Sequence, residues 1–86
     1  MTRETQIKRL YFRSAHRGSK ETDMILGPYA LKNLDKMSGD ELNEFEAFLS
    51  ENDTDIWNWV VEKSSPAEQR YDTLLKNLRA LYTLKN

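Results

Sequence analysis

The sequence of 86 residues contains no cysteine and few other reactive side chains. Without cysteine the chain can form no disulfide, no thiolate zinc site and no cysteine nucleophile. Its single histidine, His16, has no clustered carboxylates that would complete a metal site or a catalytic triad. The glycines, Gly18, Gly27 and Gly39, are isolated, which excludes a glycine-rich phosphate loop. These absences predict a protein that is not an enzyme and binds no metal.

Long apolar runs are also missing. No stretch approaches the roughly 20 apolar residues that a membrane helix needs, and no secretory signal pattern is present. The first segment is rich in arginine, as mitochondrial presequences are, but it carries Glu4 and runs without a spacer into residues 16–23. We therefore expect a cytoplasmic protein that does not insert into membranes.

The composition favours one folded domain over residues 1–86. Hydrophobic residues make up 38% and charged residues 31% of the chain, which suits a folded domain with a well-solvated surface. The net charge is −1, yet residues 1–20 hold six basic residues against one acidic, and residues 35–68 hold ten acidic against two basic. This segregation predicts an electrically polarised protein whose field steers association with a partner.

Apolar periodicity predicts five helices and no strand, and hence an all-α fold, a small compact five-helix bundle. The first helix spans residues 2–15, with Phe12 off its apolar stripe. The second spans residues 19–36, and Gly27-Pro28 predicts a kink or two short helices there, because proline removes a donor and clashes with the preceding turn.

Capping residues predict where the other three helices begin. Ser38 and Glu41 form a capping box for the third helix, and Asp53 is a suitable N-cap for the fourth. Ser65-Pro66-Ala67-Glu68 combines a capping box with proline at the first helical position, which predicts the start of the fifth helix.

The most informative segment is His16-Arg17-Gly18-Ser19-Lys20-Glu21-Thr22-Asp23, at the junction of two predicted helices. Gly18 permits positive φ and close approach of a partner's backbone, and Arg17 offers a planar fork for carboxylates or carbonyls. Glu21 can pair with Arg17 or accept hydrogen bonds from a partner. The alternative is a glycine helix stop beside a surface ion pair, which local chemistry alone favours.

The two tryptophans, Trp57 and Trp59, lie about 200° apart around a helix. One indole is therefore expected at the rim of the bundle, where an aromatic side chain can anchor an interface. In the alternative, the bundle covers both rings. The sequence does not decide which of the two is exposed.

Residues 11–23 resemble the signature of the SdhE family, also called succinate dehydrogenase assembly factor 2, whose hallmark RGxxE is matched by Arg17, Gly18 and Glu21. Pro28-Tyr29 and residues 52–59 are also similar to that family, and order and spacing agree from about Tyr11 to Val61. This sequence departs from the family at His16, where a second arginine is frequent, and at Ser19 or Thr22, where an apolar residue is frequent.

The resemblance implies a five-helix bundle that binds the flavoprotein subunit of succinate dehydrogenase and promotes covalent attachment of FAD to a histidine of that subunit. Fumarate reductase-like subunits are left open as further partners. In this view the chain is a monomer, supplies no catalytic group and holds no cofactor stably, because FAD ends on the partner. Any side chain at Gly18 is expected to collide with the docked surface or with the turn itself. The partner-binding residues are then Tyr11, Arg13, His16, Arg17, Gly18, Glu21, Asp23 and Trp59.

Three other functions compete with this one. An antitoxin-like or regulatory module would use the same corner on a different protein target. Nucleic-acid binding through Arg9, Arg13 and Arg17 is disfavoured by the slightly negative net charge and the lack of a recognition-helix motif. A membrane-surface role for the first helix is disfavoured because Ile7, Leu10 and Tyr11 are more simply explained as core.

Overall fold

The computed structural model describes residues 2–67 and 69–85, which form a bundle of five α-helices. The helices are α1 (Arg3–Ala15), α2 (Lys20–Asn33), α3 (Gly39–Leu49), α4 (Asp53–Val60) and α5 (Asp72–Lys85). Short 3-10 turns follow α2 at Leu34–Lys36 and precede α5 at Gln69–Tyr71. No strand occurs in these residues, and the predicted all-α bundle is confirmed. Among the same residues no helix has the length and apolar character needed to cross a membrane.

Local capping explains where α3 and α4 begin. Ser38 Oγ accepts the Glu41 N–H at 3.1 Å, and Glu41 Oε1 accepts the Ser38 N–H at 2.9 Å, so the predicted capping box is present. The N-cap of α4 is Asn52, one residue before the predicted Asp53, and Asn52 Oδ1 accepts the Thr54 N–H at 2.8 Å. Asp53 lies instead in the first turn, where its negative charge interacts favourably with the positive end of the helix dipole.

Of the two outcomes predicted at Gly27-Pro28, two short helices are wrong, since α2 continues through Pro28 as a single helix, and a kink stays a prediction. The Pro28 ring lies on the exposed side of the helix, while the neighbouring Leu26, Tyr29 and Ala30 are buried. Because α2 packs against α1, α4 and α5, burial of these side chains holds the helical path that proline weakens.

The fifth helix begins later than predicted. Ser65 and Pro66 lie in the connection after α4, and Glu68, the other half of the predicted capping box, is outside the described residues. After α4, Glu62 takes a left-handed φ of 64°, which turns the chain away from the helix axis. Tyr71, buried against the rings of Phe48 and Trp59, then marks the point from which the chain returns as α5.

The core contains side chains from all five helices. Phe48 lies at its centre, with ring centroids 5.1 Å from Tyr71 and 6.1 Å from Trp59. The apolar stripes predicted for α3 and α5 face this core, whereas Phe12 lies off the α1 stripe and is 63% exposed, as predicted. Because α1 and α2 pack along one another, the turn between them lies at one end of a rigid helical hairpin.

The charges that are segregated along the sequence meet in the fold. Arg9 Nη2 donates to both carboxylate oxygens of Glu46 at 3.0 Å, which joins α1 to α3. Arg3 Nη2 donates to the main-chain carbonyls of Asp35 and Met37 at 3.1 and 2.6 Å. Arg3 and Arg9 of the basic first segment are thus bonded within the bundle, and the steering field expected from the sequence stays a prediction.

Truncation of the central ring should reveal how much the core contributes. Phe48→Ala should lower the free energy of unfolding by about 3–5 kcal/mol, because it removes a fully buried ring and leaves a cavity. Phe12→Ala is the matched control and should change it by about 0.5 kcal/mol or less, since this ring is largely exposed. Urea denaturation followed by circular dichroism measures both, and equal losses would contradict the assignment of the core.

Candidate functional site

The candidate site is built on the turn that joins α1 to α2. Gly18 has a φ of +93° and lies exposed at the tip of this turn. A Cβ added to Gly18 would meet no atom within 4 Å, so the expected collision with the turn itself is wrong. The backbone conformation is what requires glycine here, because L-residues with a side chain rarely adopt this φ.

Arg17, the residue before this glycine, holds the turn against the rest of the bundle. Its Nε donates to Asp53 Oδ1, its Nη1 to the Leu49 carbonyl at 2.7 Å, and its Nη2 to the Glu51 carbonyl at 2.9 Å. The three acceptor residues end α3 (Leu49), lie between α3 and α4 (Glu51) and begin α4 (Asp53), and the side chain of Arg17 is only 11% exposed. This set of contacts, the Arg17 clamp, ties the α1–α2 turn to a segment more than thirty residues away.

The clamp reverses the orientation expected for Arg17. We predicted a guanidinium fork that faces a partner, but the fork faces inward and its nitrogens already donate to Asp53 and two carbonyls. Glu21 is also not its ion-pair partner. The Glu21 carboxylate is exposed and accepts a hydrogen bond from Ser19 Oγ at 3.3 Å. Gly18 and Glu21 thus form the outward surface, Arg17 positions it, and partner binding by all three stays a prediction.

Asp23 completes the turn from the other side. Its Oδ1 accepts the Arg17 N–H at 2.8 Å, and its side chain lies partly buried at the start of α2. The Thr22 hydroxyl, which is buried, donates to the Ser19 carbonyl at 3.1 Å. These bonds fix the path of the main chain through the turn, so Asp23 has a structural role. Its role in partner binding stays a prediction.

His16 and Arg13 lie beside the turn at the end of α1. The exposed His16 ring packs on the ring of Phe12, with centroids 4.4 Å apart, and Arg13 is half-buried beside Ser50. Sequence reasoning did not select Phe12 as a site residue. Its position off the apolar stripe and four residues before His16 was the available signal.

Tyr11, another predicted site residue, is exposed, so its expected place in the core is wrong, and it lines an open groove between α1 and α2 with a volume of about 600 Å³. Gly18 closes one end of this surface, which we name the α1–α2 groove. Sequence reasoning missed Met24 and Leu31, because their exposure depends on where α1 and α5 contact α2. The lining residues are Tyr11, Ala15, Gly18, Lys20, Asp23, Met24, Gly27, Pro28 and Leu31.

Trp59, the tryptophan chosen as an interface anchor, lies in the core and requires a correction. Its indole is only 8% exposed and packs between Phe48 and Tyr71, so it cannot serve as a surface anchor in this fold. Trp57 is the more exposed of the two and meets the ring of Tyr82 edge-on at 5.5 Å. Packing of α4 against both α3 and α5 accounts for the burial of the Trp59 indole.

The geometry bears on metal binding and on one of the competing functions, nucleic-acid binding. Within the part of the chain that the structure describes, no group of histidine, aspartate and glutamate side chains could hold a metal ion. Arg9 and Arg17, two of the three arginines considered for nucleic-acid binding, are bonded to Glu46 and Asp53. Phosphate binding by these arginines would require breaking ion pairs that join the helices.

The Arg17 clamp should be visible in stability measurements. Arg17→Lys should lower the free energy of unfolding by about 2 kcal/mol, because one ammonium group cannot reach three separated acceptors between the end of α3 and the start of α4. Arg13→Lys, a matched change near the end of α1, should cost about 0.5 kcal/mol or less. Chemical denaturation measures the free energy of unfolding of both variants. Equal values for the two would show that the clamp does not contribute to stability.

Comparison with known proteins shows consistent similarity. Residues 8–82 match the model of a family described as flavinator of succinate dehydrogenase. Three relatives share the name succinate dehydrogenase assembly factor 2, mitochondrial. They come from Candida glabrata (41% identical, covering 83% of this chain and 49% of the relative), Penicillium rubens (39%, 81% and 24%) and Dictyostelium discoideum (33%, 80% and 49%).

The chain spans about half or less of the length of these curated relatives. Their names place them in mitochondria, whereas the sequence of this chain led us to expect a cytoplasmic protein. The compartment of this chain therefore stays a prediction.

Proposed function

Because this chain belongs to the flavinator family of succinate dehydrogenase assembly factors, we propose that it binds the flavoprotein subunit of succinate dehydrogenase and promotes covalent attachment of FAD to a histidine of that subunit. The family is one of assembly factors by name, in agreement with the prediction that the chain is not an enzyme. The flavin ends on the flavoprotein, and this chain holds no cofactor stably.

The observation that carries the proposal is the rigid, outward-facing turn at Gly18 and Glu21. The clamp and the Asp23 side chain hold Arg17 on one side of Gly18, and the Thr22 hydroxyl donates to the Ser19 carbonyl on the other side. A surface held in one conformation loses less conformational entropy when a partner docks than a mobile loop would. The turn is therefore well suited to recognise a partner with defined geometry.

Two features of the turn favour close contact with a protein surface. The open space around Gly18 allows a partner's main chain to approach without meeting a side chain. The exposed Glu21 carboxylate can accept hydrogen bonds from partner N–H groups or pair with a partner cation. Gly18 thus provides a contact that depends on close fit, and Glu21 provides one that depends on charge.

A protein without a catalytic group can promote a reaction by binding the reactive conformation of its partner more tightly. In the flavoprotein this would be the conformation in which the histidine and the flavin are aligned. If about 1% of the flavoprotein is aligned when free, about a hundredfold preference for that conformation brings it to about half. The proposal thus requires differential affinity and no proton transfer by this chain.

The charge of Glu21 should matter in a reconstituted reaction of apo flavoprotein, FAD and this protein. Glu21→Gln should weaken binding about tenfold or more, because a neutral amide replaces a carboxylate that meets partner donors. Covalent flavin is followed by in-gel fluorescence, and affinity by calorimetry. Glu4→Gln, which neutralises an exposed carboxylate at the far end of α1, is the control and should behave as the unaltered protein. Normal binding by Glu21→Gln would exclude this carboxylate from the interface.

Bulk at Gly18 should block docking while the bundle remains folded. Gly18→Arg should abolish flavinylation and cost about 1–2 kcal/mol of stability, because arginine adopts a φ of +93° only with strain. Gly39→Arg is the matched control, since Gly39 is also exposed with open space around its Cα but has an ordinary φ. A folded Gly18→Arg protein that still binds the flavoprotein would overturn the docking surface.

A further inference from the structure

The α1–α2 groove gathers most of the exposed apolar surface of the described chain. Five large hydrophobic side chains are exposed in the described part of the chain. Three of them, Tyr11, Met24 and Leu31, line this groove. Met24 is 55% and Leu31 is 71% exposed. Such clustering marks interaction surfaces, because scattered apolar residues are normal whereas contiguous ones are rare on a monomer.

The groove is continuous with the turn that forms the proposed docking site. Gly18 and Lys20 line its first part, beside the exposed Glu21. A neighbouring hollow shares Tyr11 and Leu31 and extends the surface toward Leu34 at the far end of α2. The combined surface follows α2 for its length of about 21 Å, the span of a helix of four turns.

The lining of the groove selects the conformation of what it binds. Its middle consists of the side chains of Ala15, Met24 and Leu31 on two helices, and residues 2–67 and 69–85 contain no strand edge for main-chain pairing. A segment that docks here receives little main-chain hydrogen bonding from the groove. An α-helix satisfies its own main chain and is therefore favoured over an extended peptide.

The charge at the end of the groove near the turn indicates which sign of charge the bound segment carries there. Lys20 lines this end, is exposed and makes no ion pair with any residue that the structure describes. The nearby Asp23 accepts the Arg17 N–H. A carboxylate on the docked segment would meet the ammonium group of Lys20 at the margin of an apolar contact.

We propose that the α1–α2 groove binds an amphipathic helix of the flavoprotein subunit, with its apolar face on Met24 and Leu31 and a carboxylate directed at Lys20. This inference rests on the proposed function and adds a second contact region to the turn at Gly18 and Glu21. The turn provides a rigid contact of defined shape, and the groove provides the apolar area.

Affinity measurements by calorimetry with the apo flavoprotein test the groove with two matched pairs. Leu31→Ser should weaken binding about tenfold or more, whereas Leu84→Ser, an equal change at an exposed leucine of α5 outside the groove, should leave affinity unchanged. Lys20→Glu should weaken binding and reduce its salt dependence, whereas Lys76→Glu on α5 should change affinity about twofold or less.

The outcomes separate this inference from the proposed function. If the unaltered protein binds the flavoprotein and Leu31→Ser binds equally well, the groove proposal is wrong and the proposed function stands. If the unaltered protein does not bind the flavoprotein, both are wrong. Sedimentation velocity adds the third arm: a dimer of this chain that Leu31→Ser dissociates would assign the groove to a second copy and overturn the proposal.

Hydrogen exchange on the flavoprotein in the same complex tests the helical conformation. Protection with helical periodicity in one flavoprotein segment, lost with Leu31→Ser and retained with Leu84→Ser, is the expected result. Protection confined to an extended segment would overturn the assignment of a helix.

Discussion

The geometry of the candidate site depends on one buried cation. Arg17 donates hydrogen bonds to the Asp53 carboxylate and to two carbonyls, and these acceptors lie in a connection that no local interaction would bring near the α1–α2 turn. A buried guanidinium is stable only when such partners are supplied together. The clamp therefore couples the position of Gly18 and Glu21 to the packing of α3 and α4, and the surface offered to a partner exists only in the fully assembled bundle.

Ion pairs within the bundle also involve the first helix. Arg9 of α1 and Arg17 of the following turn form ion pairs with Glu46 of α3 and Asp53 of α4, and so are not displayed to an anionic ligand. The segregation of charge along the chain thus serves assembly of the helices. What remains outward around the turn is a mixture of glycine, glutamate, lysine, histidine and apolar side chains, and such a mixed surface suits a protein partner better than a phosphate backbone.

Some features set by short-range interactions were predictable from the sequence, although the N-cap of α4 and the start of α5 were not, and features set by packing were missed. The capping box at Ser38 and Glu41 and the apolar stripe of α3 involve residues one turn apart, and the structure contains both. Continuation of α2 through Pro28 and burial of Trp59 depend on neighbouring helices. The RGxxE pattern located the turn, but the inward direction of Arg17 is determined by acceptors more than thirty residues away.

The unequal environments of the two tryptophans provide a built-in optical record of the fold. Trp59 is enclosed by Phe48 and Tyr71, so its emission is shifted to shorter wavelength and shielded from dissolved quenchers until the core opens. Trp57 remains partly in contact with solvent at the boundary of α4 and α5. Loosening of the last helix therefore changes the surroundings of Trp57, whereas unfolding of the whole bundle also moves the emission of Trp59 to longer wavelength, without any added label.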